Sequence, residues 1–180
     1  MLSPYKFYQY LFATTDADVV KFLKMLTFLP MSEIEAMRGS MQAEGYIPNT
    51  AQRLLAEEVT RFVHGQQGVD IALKATAGLA PGSKTTLDAE TLDAIADDIP
   101  CATLSRADVL ERPLVDVMVA SGLQSSKSEA RRTIKGGGCR VNNRKVDSEA
   151  QVVAAEDLLE GRLMLLASGK KNKLLVRVAE

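Results

Sequence analysis

The chain has 180 residues, 46% of them hydrophobic, and a formal charge of −1, so it can bury a core and is not expected to be disordered as a whole. Cys101 and Cys139 show neither metal-ligand spacing nor a disulfide framework, which indicates a reducing compartment. No stretch is apolar and long enough to span a bilayer and no signal peptide is visible, so we expect no membrane association.

The small net charge hides an asymmetry between the two halves of the chain. Residues 1–100 carry 8 Lys and Arg against 13 Asp and Glu, whereas residues 101–180 carry 14 against 10. Opposite charges in the two halves predict two domains, of which only the second is electrostatically suited to nucleic acid.

The first part of the chain predicts a small all-α domain, residues 1–80. Ser3 can cap a first helix, and Pro4 suits its first position, where the missing N–H is tolerated. Caps and apolar periodicity predict further helices at residues 17–28, 32–44, 51–64 and 69–79.

Two features of this domain predict packing rather than chemistry. Tyr5, Tyr8 and Phe12 share one helix face, a spacing typical of packing against a neighbouring element. His64 is the only histidine, and it precedes Gly65, which is expected to end its helix. We predict that it interacts with the last carbonyls of that helix and has no acid–base role.

Residues 81–112 predict a connector with an acidic helix. Leu92, Ile95 and Ile99 have helical spacing in an acidic segment, whose carboxylates are typical of a solvated helix face. Pro100 ends the helix, and residues 99–104 predict a short strand.

The most basic segment is residues 125–146, with seven cations and one anion. Ser126 and Glu129 have the spacing of a capping box, in which each side chain accepts from a backbone N–H of the other residue. The helix they begin carries cations at i, i+4 and i+8 on one face, namely Lys127, Arg131 and Lys135, with Arg132 beside them.

A hairpin is predicted to follow this helix. Glycines 136–138 can end the helix, because glycine accepts a left-handed backbone. Cys139, Val141 and Val146 then occupy strand positions around an Asn142-Asn143 turn, since asparagine tolerates positive φ. Such a run of charge is often just a solvated face, but these cations are concentrated rather than interspersed with acids, which favours a surface that follows RNA phosphates.

The remaining elements complete an α+β fold. An apolar helix at residues 114–122 precedes the basic helix, and strands are expected at 163–166 and 174–178 around a turn with Lys170, Lys171 and Lys173. Those lysines are either a second cationic patch or ordinary protection of a sheet edge. Residues 113–180 are thus predicted to pack two helices on a short, mostly antiparallel sheet.

The candidate site residues all serve RNA binding, and no catalytic or metal-ligating residue is predicted. The candidates are Ser126, Lys127, Arg131, Arg132, Lys135, Arg140, Asn142, Arg144, Lys145, Lys170, Lys171 and Lys173.

Several segments resemble one family of enzymes. Residues 3–10 (SPYKFYQY), 21–29 (KFLKMLTFL) and 51–65 (AQRLLAEEVTRFVHG) resemble the α-helical domain that follows the catalytic domain in bacterial-type tyrosyl-tRNA synthetases. Residues 113–178 are similar to the S-four-type RNA-binding domain that ends the same enzymes, through the order of basic helix, glycine stop and Asn-turned hairpin.

The resemblance implies a tRNA-binding C-terminal region of a tyrosine–tRNA ligase, which grips tyrosine tRNA by its phosphate backbone for aminoacylation. In that family the two domains hold the anticodon arm and the long variable arm. The family's HIGH-type and KMSKS-type motifs, which activate tyrosine with ATP, come before the SPY segment, and here only Met1 and Leu2 precede Ser3. We therefore expect no cofactor in this chain, ATP being bound by the family's catalytic domain, and no ligase activity from the chain alone.

Other interpretations stay open at this point. The chain can be a fragment of a longer product or a truncated paralogue, and a catalytic domain can pack on the Tyr5/Tyr8/Phe12 face. A stand-alone S-four-type factor for ribosomal RNA or an intron, without ligase activity, is the alternative function. The location is expected to be the cytoplasm for a bacterial source and the mitochondrial or plastid matrix for a eukaryotic one.

Overall fold

A computed structural model describes residues 2–170 and 172–179 of the chain. It divides into two compact units, Met1–Leu73 and Lys74–Glu180. Lys171, one of the predicted RNA-binding residues, lies outside the described residues.

The first unit is built from helices, as predicted. Their bounds are α1 Pro4–Phe12, α2 Asp16–Leu26, α3 Met31–Ser40 and α4 Thr50–Leu79, the last of which ends in the second unit. The hydroxyl of Ser3 accepts the N–H of Lys6 at 3.1 Å, and Pro4 begins α1, which confirms the predicted start. Tyr8, Leu23, Ile34 and Leu55 lie in the core of this unit.

Two of these helices end earlier than the sequence predicts. Helix α2 ends at Leu26 because Thr27 turns to an extended backbone and its hydroxyl donates to the carbonyl of Leu23 at 2.6 Å. Phe28, predicted to be the last helical residue, therefore lies beyond the helix. Helix α3 ends at Ser40, where the cap N–H of Met41 already bonds back to the carbonyls of the last turn.

Gly65 interrupts α4, as predicted. Its backbone has φ 71° and ψ −179°, a conformation that favours glycine, and helix continues on both sides of it. His64 does not form the predicted hydrogen bonds to carbonyls among the described residues. Its ring instead meets Phe7 edge to face, with centroids 5.2 Å apart.

The aromatic face of α1 packs inside its own unit. Tyr8 is only 2% exposed, and its ring stacks on Phe12 with centroids 5.9 Å apart. The proposed docking of a catalytic domain on the Tyr5/Tyr8/Phe12 face was therefore wrong for Tyr8, because the first unit's own core already covers that ring.

The second unit has the predicted α+β composition. Its elements are α5 Ala89–Ile95, β1 Cys101–Ser105, α6 Arg106–Val109, α7 Leu114–Ala120, α8 Lys127–Lys135, β2 Cys139–Val141, β3 Arg144–Lys145, a 3-10 turn Ala155–Asp157, β4 Leu163–Ser168 and β5 Asn172–Ala179. The strands form one sheet in the order β1-β5-β4-β2-β3. Among the strand pairs of the described residues only that of β1 and β5 is parallel, so the sheet is mostly antiparallel, as expected.

The segment predicted as a connector, residues 81–112, contributes elements to this unit. Strand β1 forms an edge of the sheet, with Cys101 opposite Leu175 and Ser105 opposite Ala179. Its burial alternates, because one face of the strand lies toward solvent. Helices α7 and α8 pack on the sheet through a core that includes Leu114, Met118, Ile134 and Met164.

We predict that Gly78→Ala destabilises the second unit by about 1–3 kcal/mol, a typical effect of overpacking a filled core. A Cβ on Gly78 would lie 2.4 Å from Cδ2 and 2.6 Å from Cγ of Leu87, which is itself only 3% exposed. Chemical denaturation would measure the effect. Gly39→Ala in α3 is the control, because no atom lies within 4 Å of its added Cβ, and an unchanged or slightly higher stability is expected. Equal effects of the two substitutions would contradict the close contact at Gly78.

Candidate nucleic-acid interface

The basic helix α8 begins with a modified form of the predicted capping box. The hydroxyl of Ser126 accepts the N–H of Glu129 at 3.2 Å, as predicted. The carboxylate of Glu129, however, accepts from the hydroxyl and the N–H of Ser125, at 2.6 and 3.2 Å, one residue earlier than predicted. These hydrogen bonds, and then the charge of Arg132, hold the pKa of Glu129 below its usual value.

The two faces of α8 differ as the sequence pattern requires. Ala130 and Ile134 are 0% and 2% exposed, and they belong to the core beneath the helix. The cations predicted to share a face are exposed: Lys127, Arg131, Arg132 and Lys135. Burial of the apolar face therefore directs the basic face to solvent.

The glycine stop brings the end of α8 next to the hairpin. Gly137 has φ 67°, and Gly138 donates its N–H to the carbonyl of Thr133 at 2.9 Å. A Cβ on Gly137 would lie 3.0 Å from Cε of Lys145, so the missing side chain lets this lysine of β3 pass close to the helix end. We call the exposed cations of α8, together with Arg140, Arg144 and Lys145 of the hairpin, the cationic surface.

The hairpin turns at Asn142 and Asn143, as predicted. Both residues have positive φ, 48° and 65°, which is the conformation of a two-residue turn between twisted strands. In this register Arg140 lies opposite Lys145, and Val141 opposite Arg144.

Acids that are at least partly exposed pair with three lysines of the cationic surface. Lys127 lies 2.8 Å from Asp116, Lys135 lies 3.1 Å from Glu149, and Lys145 lies 2.5 Å from Asp147. These lysine side chains remain between 51% and 72% exposed. Ion pairs this open to water are weak, so they leave the lysines able to change partner.

Arg144 is held more firmly than these lysines. Its Nη2 donates to Oδ1 of Asp157 at 2.8 Å, and the Asp157 side chain is only 9% exposed. The other carboxylate oxygen of Asp157 accepts the N–H of Ala154 at 3.0 Å. The Arg144 side chain nevertheless stays 62% exposed, so it is oriented by Asp157 and still reachable from solvent.

Arg131 and Lys170 are the least engaged of the predicted cations that the structure describes. Among the described residues, neither side chain forms a hydrogen bond or an ion pair. Arg132 likewise has no ion pair within the described part of the chain, although its charge acts on Glu129. Arg131 and Arg132 are therefore the guanidinium groups most open to an incoming anion.

Three predicted site residues lie partly or wholly inside the fold. Asn142 is buried, and its amide donates to the carbonyl of Asp157 at 2.7 Å and accepts the N–H of Leu165 at 2.9 Å. Half-buried Arg140 donates to the carbonyl of Asn143 at 3.2 Å. Lys173 is also half-buried, and burial, with the charge of Arg140, holds its pKa below the usual value.

Sequence reasoning gave Asn143 only a role in the turn, but this residue also joins the hairpin to other elements. Its amide nitrogen donates to the carbonyl of Gly78 at 2.9 Å and to that of Thr85 at 2.7 Å. Lys173 Nζ donates to the same Gly78 carbonyl at 2.7 Å and to Oδ1 of Asn143 at 3.1 Å. The asparagine pair signalled the turn, but nothing local in the sequence could signal partners 65 and 58 residues away.

The described residues show neither a metal site nor a membrane-spanning helix. No group of three or more His, Cys, Asp or Glu side chains there is placed to hold a metal ion. None of the described helices combines the length and apolar character needed to cross a membrane. Cys139 is buried beside Met118, and burial raises the pKa of its thiol to about 11.

The helix pair, the glycine stop and the Asn-turned hairpin on a mostly antiparallel sheet define the second unit as an S-four-like α+β domain. Comparison with protein families matches each part of the chain to a synthetase family. Residues 91–176 match the family described as tyrosine–tRNA ligase SYY-like C-terminal domain. Residues 1–79 match the family described as class I tRNA synthetases (W and Y).

Curated relatives extend the match to nearly the whole chain. The tyrosine–tRNA ligase of Protochlamydia amoebophila is 48% identical over 99% of this chain, and the chloroplastic/mitochondrial enzyme of Arabidopsis thaliana is 52% identical over 99%. The Geobacillus stearothermophilus enzyme is 37% identical over 98%. The chain belongs to the tyrosine–tRNA ligase family and corresponds to its C-terminal region, spanning 35% to 42% of the length of these relatives.

We predict that Asn143→Gly lowers the free energy of unfolding of the second unit by about 1–3 kcal/mol, because the hydrogen bonds from its amide to the carbonyls of Gly78 and Thr85 are both lost. Glycine keeps the positive φ of the turn, so the change isolates the amide. Asn49→Gly is the control: Asn49 has the same φ of 65° but is exposed. Denaturation curves would show the difference, and an equally small effect at both sites would contradict the joining role of Asn143.

Proposed function

We propose that this chain is the RNA-binding part of a tyrosine–tRNA ligase and holds tyrosine tRNA through the cationic surface. The observation that carries the proposal is the exposed basic face of α8, continued by Lys145 over the glycine stop. Family membership supports the choice of tRNA, because the relatives are named as tyrosine–tRNA ligases.

Arg131 and Arg132 form the centre of the proposed contact. A guanidinium presents several N–H groups in a plane and can donate two of them to one phosphate, which a lysine ammonium cannot do in the same geometry. Both side chains are exposed and free of carboxylate pairing among the described residues, so a phosphate displaces only water from them.

The paired lysines differ from the two arginines in how they would contribute to phosphate binding. A phosphate that approaches Lys127, Lys135 or Lys145 competes with an acid already in place. Because these pairs are exposed and weak, the exchange is feasible, yet the neighbouring carboxylates reduce the positive potential that the sequence alone suggests. We therefore expect binding of moderate strength that falls steeply with salt.

The cationic surface accounts for how the tRNA would be oriented, but not for how its bases would be recognised. Lys and Arg contacts to phosphates fix the position of an RNA without reading its sequence. Asn142 and Lys173 are not included in the proposed contact, since both use their polar atoms within the fold. Ser126 acts as the cap that holds α8 in place.

The chemistry of aminoacylation is assigned, in this proposal, to the part of the family's proteins that the chain does not span. ATP and tyrosine would be bound there, and this chain would supply affinity and orientation for the RNA. The location follows the source: a bacterial cytoplasm, or an organelle of the kind named for the Arabidopsis relative.

We predict that the double charge reversal Arg131→Glu/Arg132→Glu weakens binding of a tyrosine tRNA transcript at least about tenfold at moderate salt. It should also reduce the slope of log affinity against log salt by about 1.5, as expected for two lost phosphate contacts. Fluorescence anisotropy over a salt series would measure both quantities.

The matched control is Arg106→Glu, an exposed arginine that follows β1 at the opposite edge of the sheet from the hairpin. It should leave affinity and slope nearly unchanged. Equal affinity of the double variant and the wild type would overturn the proposal. Tighter binding of a structured ribosomal RNA fragment than of the tRNA would favour a stand-alone RNA-binding factor instead.

A further inference from the structure

A small open pocket lies beside the β2–β3 hairpin. It has a volume of about 200 Å³, and we call it the hairpin pocket. Its apolar lining consists of Val141 and Val146, which are only 5% and 6% exposed. The polar residues that line it are Arg144, Lys145, Gln151, Glu156 and Asp157.

Two contacts place the hairpin pocket next to the cationic surface. Lys145 lines the pocket, and its Cε lies 3.0 Å from where a Cβ on Gly137 would stand, at the end of α8. Lys135, in the last turn of α8, pairs with Glu149, which comes two residues before Gln151. An RNA strand whose phosphates lie on the cationic surface can therefore reach the pocket.

Hydrogen bonds to other parts of the second unit hold the walls of the pocket. The carbonyl of Gln151 accepts the N–H of Leu114 at 2.8 Å. The carbonyl of Asp157 accepts from the side-chain amide of Asn142 at 2.7 Å. A pocket with fixed walls loses little conformational freedom when a ligand enters, which favours binding.

The charges in the pocket argue against a phosphate as its occupant. Arg144 pairs with Asp157 at 2.8 Å, and Lys145 pairs with Asp147 at 2.5 Å, so both cations already have an acid beside them. Glu156 adds a further negative charge, which would repel an anion. A neutral, planar group such as a nucleotide base fits this balance of charge better.

Two acceptor groups of the pocket are left unused by the fold. Within the described part of the chain, the exposed carboxylate of Glu156 forms neither a hydrogen bond nor an ion pair. The amide nitrogen of Gln151 donates to the carbonyl of Val152 at 3.3 Å, but its amide oxygen accepts nothing from the described residues. A carboxylate accepts hydrogen bonds and cannot donate them, so it selects a ligand with N–H donors.

We propose that the hairpin pocket binds the base of an unpaired guanosine in the RNA held on the cationic surface, an inference that rests on the proposed function. The edge of guanine presents two adjacent donors, N1–H and N2–H, which suit the two oxygens of the Glu156 carboxylate. Gln151 supplies a further acceptor, and the guanidinium of Arg144, held by Asp157, stacks on the ring. A base inside a double helix cannot enter, so the guanosine belongs to a loop, a bulge or an end.

The substitution Glu156→Gln tests the proposal through the sign of its effect on affinity. If Glu156 only repels phosphates, its neutralisation should tighten the binding of any RNA. Recognition of guanine predicts the opposite: binding of a tyrosine tRNA transcript should weaken at least about fivefold, as expected for one lost two-bonded base contact. The salt slope should stay unchanged, because a base contact releases no counterions. Fluorescence anisotropy over a salt series would measure both quantities.

Two controls accompany this measurement. Glu160→Gln removes the same charge from the same unit but outside the pocket, and Arg162 keeps its hydrogen bonds to Asp93 at 2.9 and 2.6 Å. Its affinity for the transcript should be unchanged or slightly higher. A blunt-ended RNA duplex offers no unpaired guanine, so the Glu156→Gln variant should bind it at least as tightly as the wild type does.

Chemical footprinting locates the base directly. Kethoxal reacts with N1 and N2 of unpaired guanines, the same atoms that Glu156 is proposed to bind. The wild-type chain should protect an unpaired guanine of the transcript, and the protection should be lost with Glu156→Gln and reduced with Gln151→Ala. Unchanged or tighter binding of the Glu156→Gln variant to the transcript, or protection that survives this substitution, would overturn the proposal.

The results also separate this proposal from the RNA-binding function. If Arg131→Glu/Arg132→Glu loses affinity for the transcript while Glu156→Gln does not, the pocket assignment fails and the RNA-binding function stands. If neither variant changes the affinity, both fail. Loss of affinity in both variants, with loss of salt slope only in the arginine variant, supports the guanine pocket beside a phosphate-binding surface.

Discussion

The amides of Asn142 and Asn143 are the contacts on which the hairpin part of the cationic surface depends. Both residues adopt positive φ, which turns the hairpin, and both bury their side chains. Asn142 ties the turn to β4 and to the carbonyl of Asp157, whereas Asn143 ties it to Gly78 and Thr85. Arg140 and Arg144 lie on the two strands that this turn joins. The same hydrogen bonds therefore fix the backbone positions from which the two arginine side chains extend.

The structure differs from the sequence-based prediction more in its charge distribution than in its secondary-structure elements. Between residues 125 and 146 the sequence shows seven cations and one anion, but the fold brings Asp116, Asp147, Glu149 and Asp157 to four of them. The unpaired charge is thereby concentrated at Arg131 and Arg132. Acids beside a basic surface lower its affinity for any polyanion.

Local signals predicted most of the elements, and long-range contacts account for what they missed. The Ser126 cap, the glycine stop and the asparagine turn act within a few residues, so the sequence displays them directly. The end of α2 was missed because it depends on a side-chain bond of Thr27 that competes with helix propensity. The burial of Lys173 could not be predicted either, since its partner Gly78 is 95 residues away.

The chain therefore combines a helical unit and a unit with a basic surface. Hydrogen exchange of the full chain with and without tyrosine tRNA tests the central claim most directly. Our account predicts slower amide exchange in α8 and the β2–β3 hairpin on binding, with little change in α5 and β1. Protection confined to the first unit, with α8 unchanged at saturating RNA, would contradict it.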